Sequence, residues 1–238
     1  MSLAAADTKK RVADAFDFRR LVFRFCMSIY AVIVLAGILA LLTHLSTSTF
    51  LRDQFSLTEE ANFPTWLASI LWLFVGISSY IANITDRMQN RPSRIWLLIS
   101  FAFLYASMDE VCRIHERIPS WQCYYIVPIS IVFALGGPFL WKRLREIPRV
   151  RIFLIAGACC YLLSLVLEFY AQIPSLHAAL EEIGFIRKWN PIEFTEEMIE
   201  LFGTAFLVHA LLNYNLSRWK LLAGCERETA EIASSTET

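Results

Sequence analysis

Ten acidic and histidine side chains gather at one side once the chain is cut into apolar stretches and oriented by its basic loops. They are Glu59, Glu60, Asp109, Glu110, His115, Glu116, Glu168, His177, Glu197 and Glu200. Several stand within or beside segments otherwise apolar enough to be buried in lipid. Ionisable groups there are expensive, so they face a protein interior or a water-filled cavity and have a partner. Carboxylates and imidazoles so placed can hold a divalent cation or pass protons.

Two segments carry most of this chemistry. The first is Ser107 to Glu116, where Tyr105, Asp109, Cys112 and Glu116 follow i, i+4, i+7 and i+11 spacing and form one stripe if the helix continues. His115 lies beside Cys112 on that stripe. Arg113 is within helical reach of Asp109, Glu110 and Glu116, so a salt-bridge ladder competes evenly with a cation site. The second segment places Glu193, Glu197, Glu200 and Thr204 on a single face. Glu193 is explained as the N3 member of a capping box on Asn190, and Glu196 by the helix dipole. Glu200 is different: it lies about nine residues beyond Pro191, roughly 13 Å into the helix at 1.5 Å per residue. A carboxylate at that depth must be protonated, paired or metal-bound. No Lys or Arg follows on its own helix before Arg218, so compensation has to come from another helix, with Arg113 and a bound cation the visible candidates.

The other acids and histidines are weaker. Glu59 and Glu60 sit at a helix entry where capping accounts for most of them. Glu168 and His177 belong at an interface with water, as does His44. His209 is well away from the cluster and is expected to hydrogen-bond a neighbouring helix.

The elements that must position these groups are membrane helices. The chain has 238 residues, 56% of them hydrophobic, with 18 Phe and 7 Trp. Six apolar stretches, at about 21–43, 64–84, 95–116, 122–141, 152–171 and 193–214, approach the ~20 residues needed to cross a bilayer as a helix. Such runs exclude a β-barrel, whose strands are about ten residues of alternating pattern. The fold class is therefore all-α, a polytopic bundle of six transmembrane helices. Lys9, Lys10, Arg11, Arg19 and Arg20, then Arg87, Arg91 and Arg94, then Lys142, Arg143, Arg145, Arg149 and Arg151, then Arg218 and Lys220 mark one side. The alternate loops hold only Arg52, then Arg113 and Arg117, then Arg187 and Lys188. Both termini are thus expected in the cytoplasm.

Residues 1–20 read as a cytoplasmic or interfacial segment, 21–216 as the membrane domain and 217–238 as a polar cytoplasmic tail, disordered after about 222. Asn62 before Phe63-Pro64 reads as an N-cap. Pro128 and Gly136-Gly137-Pro138 are expected to kink or break the fourth span, and 174–185 to lie along the outer surface. The first apolar run is too long for a cleaved signal peptide. The six cysteines show no CxxC pair and no zinc-ligand spacing, though Cys112 and Cys123 flank one outer loop and could pair in an oxidising compartment. GxSxG, the P-loop, GxGxxG, HExxH and histidine boxes are all missing; the zero net charge hides strong local asymmetry and argues little about charged partners, and no nucleic-acid partner is expected.

The combination Glu60-x-Asn62-x-Pro64-Thr65-Trp66, then Asp109-Glu110 with His115-Glu116, then Glu196-Glu197-x-x-Glu200-x-x-Gly203, resembles a group of bacterial multi-pass membrane proteins. The resemblance runs from the second span to the sixth and implies no particular reaction. Seven-helix membrane hydrolases such as alkaline ceramidases hold a zinc with an HxxxH pair, which this chain does not have, so no residue carries over from them.

The sequence thus predicts a bacterial plasma-membrane protein with an outer polar site on the third and sixth spans. Asp109, Glu110, His115, Glu116, Glu197 and Glu200 are the candidate metal ligands, with Glu60 and Glu168 outside them. The expected cofactor is a divalent metal ion. As a hydrolase it would activate water against a lipid or lipid-linked substrate, with Glu200, Glu116 or Asp109 as catalytic candidates. Two alternatives stand beside it. One is a subunit, sensor or assembly factor, in contact with a membrane protein partner or a second copy, whose acids are inter-helix ion pairs. The other is an ion- or proton-coupled transporter, against which the apolar inner halves of the fifth and sixth spans argue.

Overall fold

The computed structural model describes residues 3–44, 49–56, 62–91, 94–114, 117–118, 121–144, 147–171 and 191–236. Side chains are described for 18–43, 50, 53–56, 62–91, 94–114, 117–118, 131, 134–144, 147–167 and 191–219. The described residues are all-helical and form α1 (Leu3–His44), α2 (Thr49–Phe55), α3 (Phe63–Met88), α4 (Arg94–Cys112), α5 (Trp121–Leu144), α6 (Pro148–Ala171) and α7 (Pro191–Thr236). Among them, four stretches are long and apolar enough to cross a membrane: Phe18–Thr43, Phe63–Met88, Arg94–Cys112 and Pro148–Leu167.

Helix boundaries follow local chemistry. At the start of α3 the Asn62 side chain accepts from the Thr65 backbone N–H at 3.2 Å and the Thr65 hydroxyl at 3.1 Å, so the predicted cap is present. Beyond the other end, Asn90 takes a left-handed φ of 54°, and the Arg91 N–H closes onto the Asp86 carbonyl at 2.8 Å. Asparagine tolerates that conformation better than most residues. α1 runs unbroken from Leu3 through the first span. Two expectations need correction. α5 continues through Gly136, Gly137 and Pro138 as one helix, so the break expected there is absent, because it would strand backbone polar groups in an apolar layer. α7 continues to Thr236, since its tail is rich in Ala, Glu, Lys and Leu, all good helix formers. The surface helix expected at 174–185 lies outside the described residues.

The core is an arc in which α4 packs on α3, α3 on α7 and α7 on α6, with α1 against the outer flank of α7. Neighbours approach closely where side chains are small. A Cβ on Gly76 would lie 2.8 Å from Leu104 Cγ and 3.2 Å from its backbone nitrogen, so α3 and α4 cannot accommodate a larger residue there. Ser100 donates to the Gly76 carbonyl at 2.9 Å in the same crossing. Gly157 and Gly203 likewise bring α6 and α7 together, a Cβ on Gly157 meeting the Gly203 carbonyl at 3.0 Å. Small residues at crossings and hydroxyl bonds between helices are the usual means of association in lipid.

The two faces of α3 are sorted opposite to a soluble helix. Thr65, Ser69, Ser78, Ser79, Asn83, Thr85 and Asp86 are buried, whereas Trp66, Ile70, Leu73, Ile77, Tyr80, Ile84 and Met88 are exposed. Burying hydroxyls and amides while exposing a large-hydrophobic stripe is favourable only where the surroundings are themselves apolar. Exposed Ile152, Ile155, Leu162, Leu163, Leu165 and Val166 repeat the pattern on α6.

Candidate functional site

α6 and α7 run antiparallel, and their glycine contact sets the register of what lies outward from it. One turn along α6 from Gly157, the Tyr161 hydroxyl hydrogen-bonds Thr204 Oγ1. One turn further out, the Ser164 hydroxyl donates to Glu200 Oε1 at 2.7 Å. Ser164 is buried and Glu200 partly so. A hydroxyl donating to a carboxylate fixes the oxygen that receives it. Thr204 also turns back to the Glu200 carbonyl at 3.0 Å, which leaves its oxygen facing α6.

Acids of both predicted segments act on Tyr161 of α6. Glu200 of α7 and Glu110 of α4 both lie within electrostatic range of its phenol. Trp72 of α3 stacks on Phe103 of α4 with centroids 5.1 Å apart and tilts against Tyr161 at 5.4 Å. These three rings form a layer beneath the carboxylates. Just outward, Ser69 donates to the Ser107 carbonyl at 2.8 Å and contacts its hydroxyl at 3.1 Å. This clasp pins the turn of α4 from which Asp109 and Glu110 project.

The predicted stripe from Tyr105 to Glu116 does not hold. α4 ends at Cys112, where Arg113 adopts a left-handed φ of 54° and its N–H closes onto the Asp109 carbonyl at 2.7 Å. A continuous helical stripe therefore stops at Cys112. The remaining members also differ in setting: Asp109 is 6% exposed, Tyr105 43%, and Cys112 is an exposed free thiol. A helix end is a natural place for this failure, because periodicity alone carries no signal for a left-handed residue that is not glycine.

Of the other predicted site residues, Glu197 is partly buried and Glu193 exposed on the first turns of α7. His115, Glu116, Glu60 and His177 lie outside the described residues, as does the side chain of Glu168. Among the described residues no group of three or more His, Cys, Asp and Glu side chains is close enough to hold a metal ion. Asp109, Glu110, Arg113, Glu196, Glu197 and Glu200 each have a polar or electrostatic partner.

A second polar cluster, absent from the sequence reading, occupies the opposite ends of α3, α4 and α7. Asp86 is fully buried. Its Oδ1 accepts from the Tyr214 hydroxyl at 2.7 Å and its Oδ2 from Trp96 Nε1 at 2.9 Å. Arg143 of α5 approaches Oδ2 at 3.7 Å and donates to the Arg91 carbonyl at 2.9 Å. Asn215 donates to the Ser78 carbonyl, Trp219 to Thr85 Oγ1 and Gln89 to the Arg218 carbonyl. Arg218, only 3% exposed, lies over the Tyr214 ring at 5.2 Å. This end of the bundle is thus as polar as the end that holds Glu200, with α3 supplying much of the polar surface. Asp86 was overlooked because it sits among Arg87, Arg91 and Arg94, where an acid reads as a loop charge; its N-terminal neighbours Ser79 and Asn83, at i−7 and i−3, are the signal that it faces inward. His209 behaves as expected of it, with Nδ1 3.1 Å from the Tyr30 hydroxyl and its ring stacked on Phe153 at 3.8 Å.

No curated protein and no solved structure matches the chain. A family described as Domain of unknown function (DUF8692) matches residues 26–214, which take in Ser164, Glu200, Asp86, Trp96 and Tyr214. The chain therefore belongs to the DUF8692 family.

Proposed function

We propose that this chain is a multi-pass protein of a bacterial plasma membrane, with six spans and both termini in the cytoplasm. Its outer half holds a cation site built by α4 and α7. The occupant is a divalent metal ion, for which the carboxylates of Asp109, Glu110, Glu197 and Glu200, with His115 and Glu116 beyond the end of α4, form an oxygen-rich donor set suited to a hard cation. The chemistry such an ion supplies is activation of water for hydrolysis. Glu200 is the best-placed general base, and Glu116 and Asp109 are the alternatives; the substrate is a lipid or lipid-linked molecule reaching the site from the bilayer. The observation that carries this reading is Glu200, its Oε1 fixed by the Ser164 hydroxyl across the α6–α7 crossing, with both Glu200 and Glu110 near enough to the Tyr161 phenol to act on it electrostatically. Metal analysis of the purified protein beside Glu200→Ala and His115→Ala tests it. Stoichiometric metal in the wild type, lost in both variants, is the expected result; a wild type without metal removes the proposal.

A second reading has its own support. Within the described residues no three potential ligands converge, and each acid there already has a partner. On this reading the protein is a non-enzymatic membrane subunit, sensor or assembly factor, and its outer acids hold helices together. Glu200→Ala would then weaken the fold with no metal to lose.

A further inference from the structure

At the end of the bundle opposite the carboxylates, α1, α6 and α7 enclose a cavity of about 360 Å³. Its wall includes Arg19 from α1, Pro148 and Arg149 from the first turn of α6, and Asn213, Leu216 and Ser217 from α7. Arg19 directly follows Phe18, the first residue of one apolar stretch, and Arg149 is the second residue of another. Both guanidinium groups therefore stand where an apolar helix meets the polar face of a bilayer, on the side with the basic loops. Both arginines are exposed, and none of the described lining residues is acidic.

The backbone at this spot adds to the positive charge. Pro148 has no N–H, and Ile147 immediately before it has a side chain that accepts nothing, so the N–H groups of Arg149 and Val150 receive no cap from it. The Arg151 N–H is satisfied by the Ile147 carbonyl at 3.2 Å. The first turn of α6 contains no acid, and the dipole of the helix leaves that end electropositive. Two arginines from separate helices and an open volume at a helix N-terminus together match a phosphate group. Large apolar side chains stand one turn along the helix from each arginine: Phe23 is 57% exposed and Ile152 61%. A free phosphate has no use for them, whereas the acyl chains of a lipid do. Basic pockets between helices on the cytoplasmic side are a known physical solution to binding anionic headgroups.

We propose that this cavity seats the phosphate headgroup of an anionic lipid of the inner leaflet, held by Arg19 and Arg149 over the first turn of α6, with the acyl chains along Phe23 and Ile152. The site is separate from the outer carboxylates and rests only on the helices spanning a membrane with their basic ends inside. The full chain, delipidated in neutral detergent and mixed with phosphatidylglycerol or phosphatidylcholine, is followed by native mass spectrometry. The wild type should retain one phosphatidylglycerol in about tenfold preference to phosphatidylcholine. Arg19→Gln with Arg149→Gln should abolish that preference, while Arg19→Lys with Arg149→Lys keeps most of it. If the double glutamine variant loses its helical circular dichroism, Arg149→Gln alone makes the same comparison, with a loss of about threefold. Inorganic phosphate at millimolar concentration should leave the lipid in place. Unchanged retention in the glutamine variants, or equal retention of the two lipids, overturns the proposal; displacement by inorganic phosphate overturns the lipid as its source. A chain that stays in solution without detergent would instead overturn the membrane reading itself.

Discussion

The Tyr214 hydroxyl donates to Oδ1 of Asp86 across 2.7 Å, joining residues 128 positions apart in the chain. Trp96 occupies the other carboxylate oxygen at 2.9 Å, so a single buried acid ties α3 to both α4 and α7. Each donor is itself packed: the Trp96 ring lies 5.3 Å from that of Tyr214 and 5.4 Å edge-on from Phe139. Removing the carboxylate would leave two donors without an acceptor in a place water does not reach.

Asp86→Ala should therefore destabilise the protein by about 2–4 kcal/mol, as measured by unfolding in mixed micelles with increasing denaturing detergent. Arg143→Ala should cost less than about 1 kcal/mol, because its contact with Asp86 is 3.7 Å long and its side chain is 20% exposed. Equal losses for the two substitutions would show that the ion pair, not the Tyr and Trp bonds, is the stabilising contact.

The glycines separate by what surrounds them. Gly76→Ala forces a methyl to 2.8 Å from Leu104 Cγ, and should lower stability by roughly 1–3 kcal/mol in the same assay. Gly137 has nothing within 4 Å of where a Cβ would stand. Gly137→Ala should be neutral or stabilise by up to about 1 kcal/mol, the helix-propensity difference. A destabilised Gly137→Ala would point to a neighbour on that face.

Ser164→Ala removes the hydroxyl that orients Glu200 without touching any carboxylate. If the outer site binds a divalent ion, its affinity should fall about 10- to 100-fold, as is usual when the partner of a ligand is lost. Titration of the metal into chelator-treated wild type and variant reads this directly. Identical binding curves would mean that Glu200 is not a ligand.

Cys112 is a free, exposed thiol at the end of α4, not one half of a bridge. On the proposed topology a membrane-impermeant maleimide added to intact spheroplasts should label it, and Cys112→Ser should abolish that part of the signal. Cys26, 2% exposed, should stay unlabelled until the protein is denatured. Labelling of Cys112 only after the membrane is opened would reverse the orientation.

Much of this architecture was legible beforehand for simple physical reasons. An apolar run of twenty residues has few ways to satisfy its backbone in lipid, so the long helices follow from composition. The Asn62 cap and the inter-helix role of His209 were likewise readable. The end of α4 was not, because the left-handed turn at Arg113 breaks a periodicity that the sequence continues through Glu116. Asp86 was not, because charge near a basic loop carries no mark of which way it points.

What the sequence determined by itself is the material: long apolar helices, basic residues collected at one side and acids at the other. Hydrophobic length and charge placement are local properties, and a bilayer reads them segment by segment. Only the tertiary structure decided which polar groups meet. Ser164 finds Glu200, and Tyr214 finds Asp86, because glycines at 76, 157 and 203 let particular helices approach at particular heights. Partners across a helix crossing depend on axial register and rotation, which are set by packing between segments and are encoded in no single one of them.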